Sequence, residues 1–131
     1  MTTKSHRLLE NMIKARGYAY PSFKLLAEED PAFLQAYDQL YALIMLRRRR
    51  FPEKIKELFF LCSVAGRNPS DTNAMKNHMR RALEKGAKKS EIIEALECAF
   101  MPAGALSFLY GINVMIDLLK EEKGKKHNSN D

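Results

Sequence analysis

The sequence predicts an all-α fold, a small orthogonal bundle of about six helices joined by short links. Three observations carry that expectation. Apolar residues recur three and four positions apart in one segment after another, the spacing of a single helix face. Start and stop residues punctuate those segments: Asp30-Pro31, Ser70-Asp71, Gly17, Gly66 and Gly86. Period-two alternation is scarce, and the YAYP stretch from Tyr18 to Pro21 is too short to found a sheet.

Residues 6–16 carry Leu8, Leu9, Met12 and Ile13 at helical spacing, and Gly17 can end that helix. Residues 23–27 give one or two turns before an acidic step at 28–30. Asp30 offers a carboxylate to free N–H groups, and Pro31 at the first helical position loses nothing by lacking its own. The helix it opens sets Phe33, Leu34, Tyr37, Leu40, Tyr41, Ile44 and Met45 along a broad apolar face and ends near residue 49. The arginine run 47–50 suits the negative end of such a helix. Pro52 disfavours helical geometry at Phe51 and opens the next element. That helix, 52–66, turns Ile55, Leu58, Phe59, Cys62, Val64 and Ala65 inward. Phe60 and Leu61 widen the stripe, while Lys54, Lys56 and Glu57 fall largely outside it.

Ser70 or Asp71 caps a helix over 72–85, with Met75, His78, Met79, Ala82 and Leu83 as its inner stripe and Gly86 as its stop. Helix 90–101 turns Ile92, Ile93, Leu96, Ala99 and Phe100 inward, and Pro102 interrupts or kinks the path. The last helix, 103–122, is apolar on most sides: Leu106, Phe108, Leu109, Ile112, Val114, Met115, Ile116, Leu118 and Leu119. A helix of that kind needs more than one neighbour, and a second subunit can provide one. Residues 123–131 are charged and polar and predict a flexible tail.

At 131 residues, one helical domain over 1–122 is the simple expectation. Hydrophobic residues make up 46% and charged residues 29%, which argues against global disorder. Lys+Arg 22 against Asp+Glu 16 gives +6, a charge that attracts acidic partners without specifying one. The run 47–50 can neutralise phosphates. Successive helix residues point around the axis, however, and no recognition motif or aromatic platform accompanies them, so nucleic acid is not the expected partner. No secretory pattern and no apolar run of membrane-spanning length is visible, so a cytoplasmic protein is expected. His6, His78 and His127 are far apart in sequence, and the two cysteines, Cys62 and Cys98, form no CxxC, so no metal and no cofactor is expected.

The run Lys54-x-x-Glu57-Leu58, the helical stretch to Gly66, His78 within HMRRALEKGAKKSEIIEAL, and Gly104 beside an alanine ahead of the last helix carry a resemblance. Together they resemble the carboxymuconolactone decarboxylase family, within the alkylhydroperoxidase-like all-α group. The resemblance covers residues 51–110 well and the preceding Asp-Pro-x-Phe helix more weakly. It implies small helical subunits that assemble as trimers or hexamers, with sites near subunit contacts. The decarboxylase branch acts on a γ-lactone dicarboxylate of aromatic catabolism, so the implied partner is a small acidic organic molecule and the implied enzyme a cofactor-independent carboxy-lyase. The peroxidase branch carries Cys-x-x-Cys-x-x-x-His. Counting back from His78 finds Ala74 and Asp71 at the cysteine places, so that dithiol is absent here. Cys62 and Cys98 stand on the preceding and following helices, and a peroxidase-related redox protein using them is a further reading.

His78 is the candidate proton carrier, because imidazole titrates near neutral pH and can both donate and accept. The alternative is a buried, hydrogen-bonded histidine that orients helices. Decarboxylation of a conjugated lactone acid must hold the carboxylate, spread electron density toward the lactone carbonyl and reprotonate carbon. Arg81, three residues beyond His78, can hold the substrate anion or form a solvated or intersubunit ion pair. Glu57 can orient His78 or relay a proton, or else pair with a lysine for little energy. Asp71 can face substrate or simply cap its helix. Asn113, between Ile112 and Val114, is either a satisfied core amide or a pocket hydrogen-bonder. A non-catalytic oligomeric ligand-binding or scaffold protein on the same fold competes with the enzyme reading.

Overall fold

Capping chemistry sets most helix ends in the computed structural model, which describes residues 1–47 and 50–129. Among the described residues there are seven α-helices, one π-helical segment and no strand. The chain divides into two compact units, Met1–Arg47 and Arg48–Asp131.

In the first unit, α1 (Thr3–Arg16) begins where Thr2 Oγ1 accepts from the Ser5 N–H at 3.2 Å. It ends at Gly17, whose left-handed φ of 81° lets its N–H reach the Ile13 carbonyl at 2.7 Å. Helix α2 (Pro21–Glu29) starts on Pro21 and is a full helix where only one or two turns were expected. It is one reason the count exceeds six. Helix α3 (Pro31–Tyr41) opens on Asp30, whose carboxylate accepts from the Phe33 N–H at 3.0 Å. Regular α-geometry stops at Tyr41, and a π-helical segment, Ala42–Leu46, replaces the expected continuation. Arg48 and Arg49, half of the arginine run, lie outside the described residues, and Arg47 and Arg50 are exposed.

Met12, Phe23, Ala27 and Leu34 form the core of this unit. Of the broad apolar face expected on the third helix, Leu34 and Met45 are buried, whereas Phe33, Tyr37, Leu40 and Ile44 remain exposed. Arg16 is the unexpected member. Its side chain is fully buried, bonds Asp38 at 2.7 Å and lies 3.7 Å from the Tyr41 ring centroid. The planar guanidinium suits both contacts, the carboxylate edge-on and the ring face-on.

In the second unit, α4 (Glu53–Arg67), α5 (Thr72–Glu84), α6 (Lys89–Ala103) and α7 (Ala105–Asn128) share one core. Helix α4 packs on α5, α6 and α7, and α7 packs on α5 and α6 as well. Leu58, Leu61, Met75, Met79, Ile92, Leu96, Met115 and Leu118 fill the space between them. Asp71 caps α5, accepting from the Ala74 N–H at 3.2 Å. Glu91, in the first turn of α6, accepts from the Lys88 N–H at 3.0 Å and from Lys54 Nζ at 3.2 Å. Pro102 falls in the last turn of α6, which ends one residue later at Ala103. Gly104 then turns the chain at φ 91° and ψ 174°, a region essentially restricted to glycine. A Cβ on Gly111 would fall 2.6 Å from Leu96 Cδ2, so glycine there permits the close approach of α7 to α6.

Three expectations for this unit change, the simplest being Phe100, expected inside α6 and found exposed. The buried stripe of α4 runs through Glu57, Leu58, Leu61, Val64 and Ala65, so Glu57 is inside at 2% exposure and Phe59 is outside at 50%. The helix is rotated toward α5, where partners for the Glu57 carboxylate wait. Helix α7 runs to Asn128, beyond the expected end at 122, and buries Ser107, Gly111, Val114, Met115 and Leu118. Leu106, Leu109, Tyr110 and Ile116 on the same helix stay exposed. Among the described residues no helix is long and apolar enough to cross a membrane.

Candidate functional site

The helical period of α5 sends Met75, Met79 and Ala82 into the core and leaves His78 and Arg81 side by side, one turn apart. Both face Glu57 of α4. His78 Nδ1 lies 2.7 Å from Glu57 Oε2, and Arg81 Nε donates to Glu57 Oε1 at 3.3 Å. The carboxylate is therefore engaged at both oxygens, which is what makes its burial tolerable. Exposure falls to 3% for the Glu57 side chain but is 18% for His78 and 16% for Arg81. The carboxylate sits at the back, and the imidazole and guanidinium lie nearer the surface.

Arg81 Nη2 also lies 3.3 Å from His78 Nδ1. Both contacts at Nδ1 cannot be hydrogen bonds in one tautomer. A guanidinium only donates, and an ionised carboxylate only accepts. With Glu57 ionised, Nδ1 carries the proton and donates to Oε2, and Arg81 Nη2 is a close cationic neighbour. That tautomer leaves Nε2 as the position at which His78 exchanges a proton. The Phe60 ring, tilted 59° to the imidazole at a centroid separation of 5.6 Å, packs beside it. Phe60 appeared in the sequence only as part of a wide apolar stripe.

Three of the five candidate residues thus come together: Glu57, His78 and Arg81. Asp71 stands at the start of α5 in its capping role, about 10 Å along the helix from His78 at 1.5 Å per residue. Asn113 is exposed on α7, flanked by buried Val114 and partly buried Ile112, so it is not a core amide within the chain. Arg80 points away from the cluster, donating to Asn77 at 3.0 Å and to Glu121 at 3.4 Å. Lys54–Glu91 at 3.2 Å and Lys85–Glu53 at 3.0 Å brace α4 against its neighbours on either side.

Among the described residues, two surface clefts lie away from this cluster. One, of about 310 Å³, lies between α1 and α3 and is lined by Ser5, Arg7, Asn11 and Gln35 among others. The other, of about 480 Å³, lies between α4 and α6 and is lined by Cys62 and Cys98. Neither is lined by Glu57, His78 or Arg81. Among the described residues no group of three or more His, Cys, Asp or Glu side chains is placed to hold a metal ion.

No family model and no curated protein matches this sequence. In three dimensions the chain is similar to a crystal structure described as a "putative carboxymuconolactone decarboxylase" from Burkholderia xenovorans LB400. The TM-score is 0.73, at 21% sequence identity, over 92% of this chain and 98% of that one. The chain has that protein's all-helical fold.

Proposed function

We propose that this chain belongs to the carboxymuconolactone decarboxylase family and works as a cofactor-independent carboxy-lyase on a small γ-lactone acid. The observation that carries the reading is the buried Glu57 carboxylate bonded to His78 and Arg81 at once. It matches the residues on which the sequence resemblance rests, and the shared fold supports it.

Glu57 holds the imidazole by Nδ1, so Nε2 faces the substrate. Arg81 brings a cation beside the ring and draws the substrate's carboxylate or its developing oxyanion. The bond from carbon to the carboxylate breaks and carbon dioxide leaves. The electron pair passes into the conjugated system and onto the lactone carbonyl oxygen as a dienolate. The His78 imidazolium then delivers its Nε2 proton to carbon, and solvent returns a proton to Nε2. Asp71 and Asn113 contribute only if a second copy brings the substrate toward them.

A homo-oligomer, trimer or hexamer, fits the same reading. Phe59, Met101, Leu106, Leu109 and Ile116 are exposed large apolar side chains in the second unit, and apolar surface of that extent calls for cover. A neighbouring subunit over His78, which is only partly buried, also supplies a pocket wall there. The cytoplasm is the proposed compartment.

The test is the loss of γ-carboxymuconolactone absorbance with wild-type protein and with His78→Ala of matched oligomeric state. Turnover by the wild type that falls at least about 100-fold in the variant is expected for a general acid. Unchanged turnover in the variant refutes the role of His78. Absence of turnover by the assembled wild type favours the second reading, a non-catalytic ligand-binding or scaffold protein.

A further inference from the structure

Helix α1 carries Lys4, Arg7, Leu8 and Asn11 at spacings of three and four, so they share one face. That face forms one wall of the cleft of about 310 Å³ in the first unit, and Pro31, Ala32 and Gln35 of α3 form the other. Lys4, Arg7, Asn11 and Gln35 are exposed, and their side chains make no hydrogen bond or ion pair with any described residue. No Asp or Glu lines the cleft. Leu8 packs against the core of the unit, and with Pro31 and Ala32 it gives the cleft an apolar side. Thr2 and Ser5 add one more donor. Thr2 Oγ1 accepts the Ser5 N–H at 3.2 Å and lies 3.0 Å from Ser5 Oγ. One of the two hydroxyl protons closes that O···O bond, and the other is left to donate.

We propose that the α1–α3 cleft binds a small organic carboxylate, an acid with a compact apolar body. The site is built from residues of the first unit alone and does not rest on the decarboxylase reading. Arg7 offers a planar fork of N–H donors that fits the edge of a carboxylate. Lys4, one turn before it, adds a second positive charge. The spare hydroxyl proton and the N–H groups of the Asn11 and Gln35 amides complete the donor set. The first turns of α1 and α3 both reach the cleft, at Lys4 and at Ala32, and their dipoles favour the same sign of ligand charge.

Volume and lining separate an organic acid from an inorganic anion. A water molecule takes about 30 Å³ of liquid, so a bare phosphate leaves most of the 310 Å³ to solvent. Sites for small organic molecules begin at about 300 Å³. The apolar side made by Leu8, Pro31 and Ala32 is covered by a hydrocarbon body and gains nothing from a bare ion. The cations are exposed, so salt screens them and weakens the head-group contact.

Isotope-labelled full-length protein is titrated with sodium benzoate at low ionic strength and followed by its amide NMR shifts. Saturating shifts at residues 2–11 and 31–35 are expected below about 10 mM, with weaker binding as sodium chloride is added. Lys4→Gln and Arg7→Gln together remove both charges from exposed positions, so the double variant should keep the wild-type Tm and lose at least about 10-fold in affinity. Benzyl alcohol has the ring without the charge, and inorganic phosphate has the charge without the ring. Each should bind at least about 10-fold more weakly than benzoate. Any one of four results overturns the proposal: no saturation at the cleft below about 10 mM, shifts confined to the surroundings of Glu57, His78 and Arg81, unchanged affinity in the double variant, or benzyl alcohol or phosphate matching benzoate.

Discussion

Removing the Glu57 carboxylate destabilises the protein through the two groups it leaves behind. Glu57 is 2% exposed and bonds His78 at 2.7 Å and Arg81 at 3.3 Å. Hydrogen bonds to a charged group contribute about 1.5–3 kcal/mol each. Breaking a buried pair by deleting one partner costs about 3–5 kcal/mol. His78 and Arg81 keep 18% and 16% of their side-chain surface in water, so rehydration places Glu57→Ala near the lower end, about 3 kcal/mol. Glu57→Gln keeps one acceptor oxygen but sets an amide N–H₂ against a donor, for about 1–2 kcal/mol. At about 3–5 °C per kcal/mol for a chain of this size, Glu57→Ala lowers Tm by roughly 10 °C. The assay is thermal and urea unfolding of both variants, of His78→Ala and of the double variant. A coupling of about 1–2 kcal/mol between positions 57 and 78 is expected. An effect below about 0.5 kcal/mol, or strict additivity, refutes the reasoning and reduces the cluster to a surface ion pair.

Other substitutions test the frame around the cluster. Leu61→Ala empties a fully buried site in the core of the second unit and costs about 2–5 kcal/mol, read as a lower urea midpoint at unchanged m-value. Gly104→Ala forces a Cβ onto φ 91° and ψ 174°; a loss of about 1–3 kcal/mol is expected, and wild-type stability is not. Glu91 is held below its ordinary carboxylate value of 4.5, first by the Lys88 backbone N–H and then by the Lys54 side chain. Its folded value being the lower one, its contribution is full above 4.5 and is lost as pH falls through the folded value. Glu91→Gln should therefore flatten stability against pH on the acid side of 4.5, and an acid limb identical to wild type contradicts that assignment.

Capping residues were legible because their chemistry is local. Asp30, Asp71 and Gly17 act within one turn of themselves, and each does what its residue type predicts. The inner stripe of α5 was legible for the same kind of reason, since Met75, Met79 and Ala82 repeat at the helical period. The rotation of α4 was not. Its apolar residues cover so much of the circumference that several faces compete, and the choice is made by the bond from Glu57 to a histidine 21 positions away. No local pattern encodes such a pairing. A carboxylate one turn before the buried Leu61 was the available signal, and it reads equally well as the edge of a polar face. Arg16 escaped for a similar reason: its Asp38 partner and its Tyr41 ring lie on α3. Asn113 misled through its apolar neighbours, because flanking residues on a helix face other directions than the residue between them.

Turnover of γ-carboxymuconolactone by His78→Ala, with and without added imidazole and beside wild type, tests the role of His78 most directly. Loss of turnover in the variant and its partial return with imidazole are expected if His78 carries the proton. Full turnover in the variant without imidazole contradicts it.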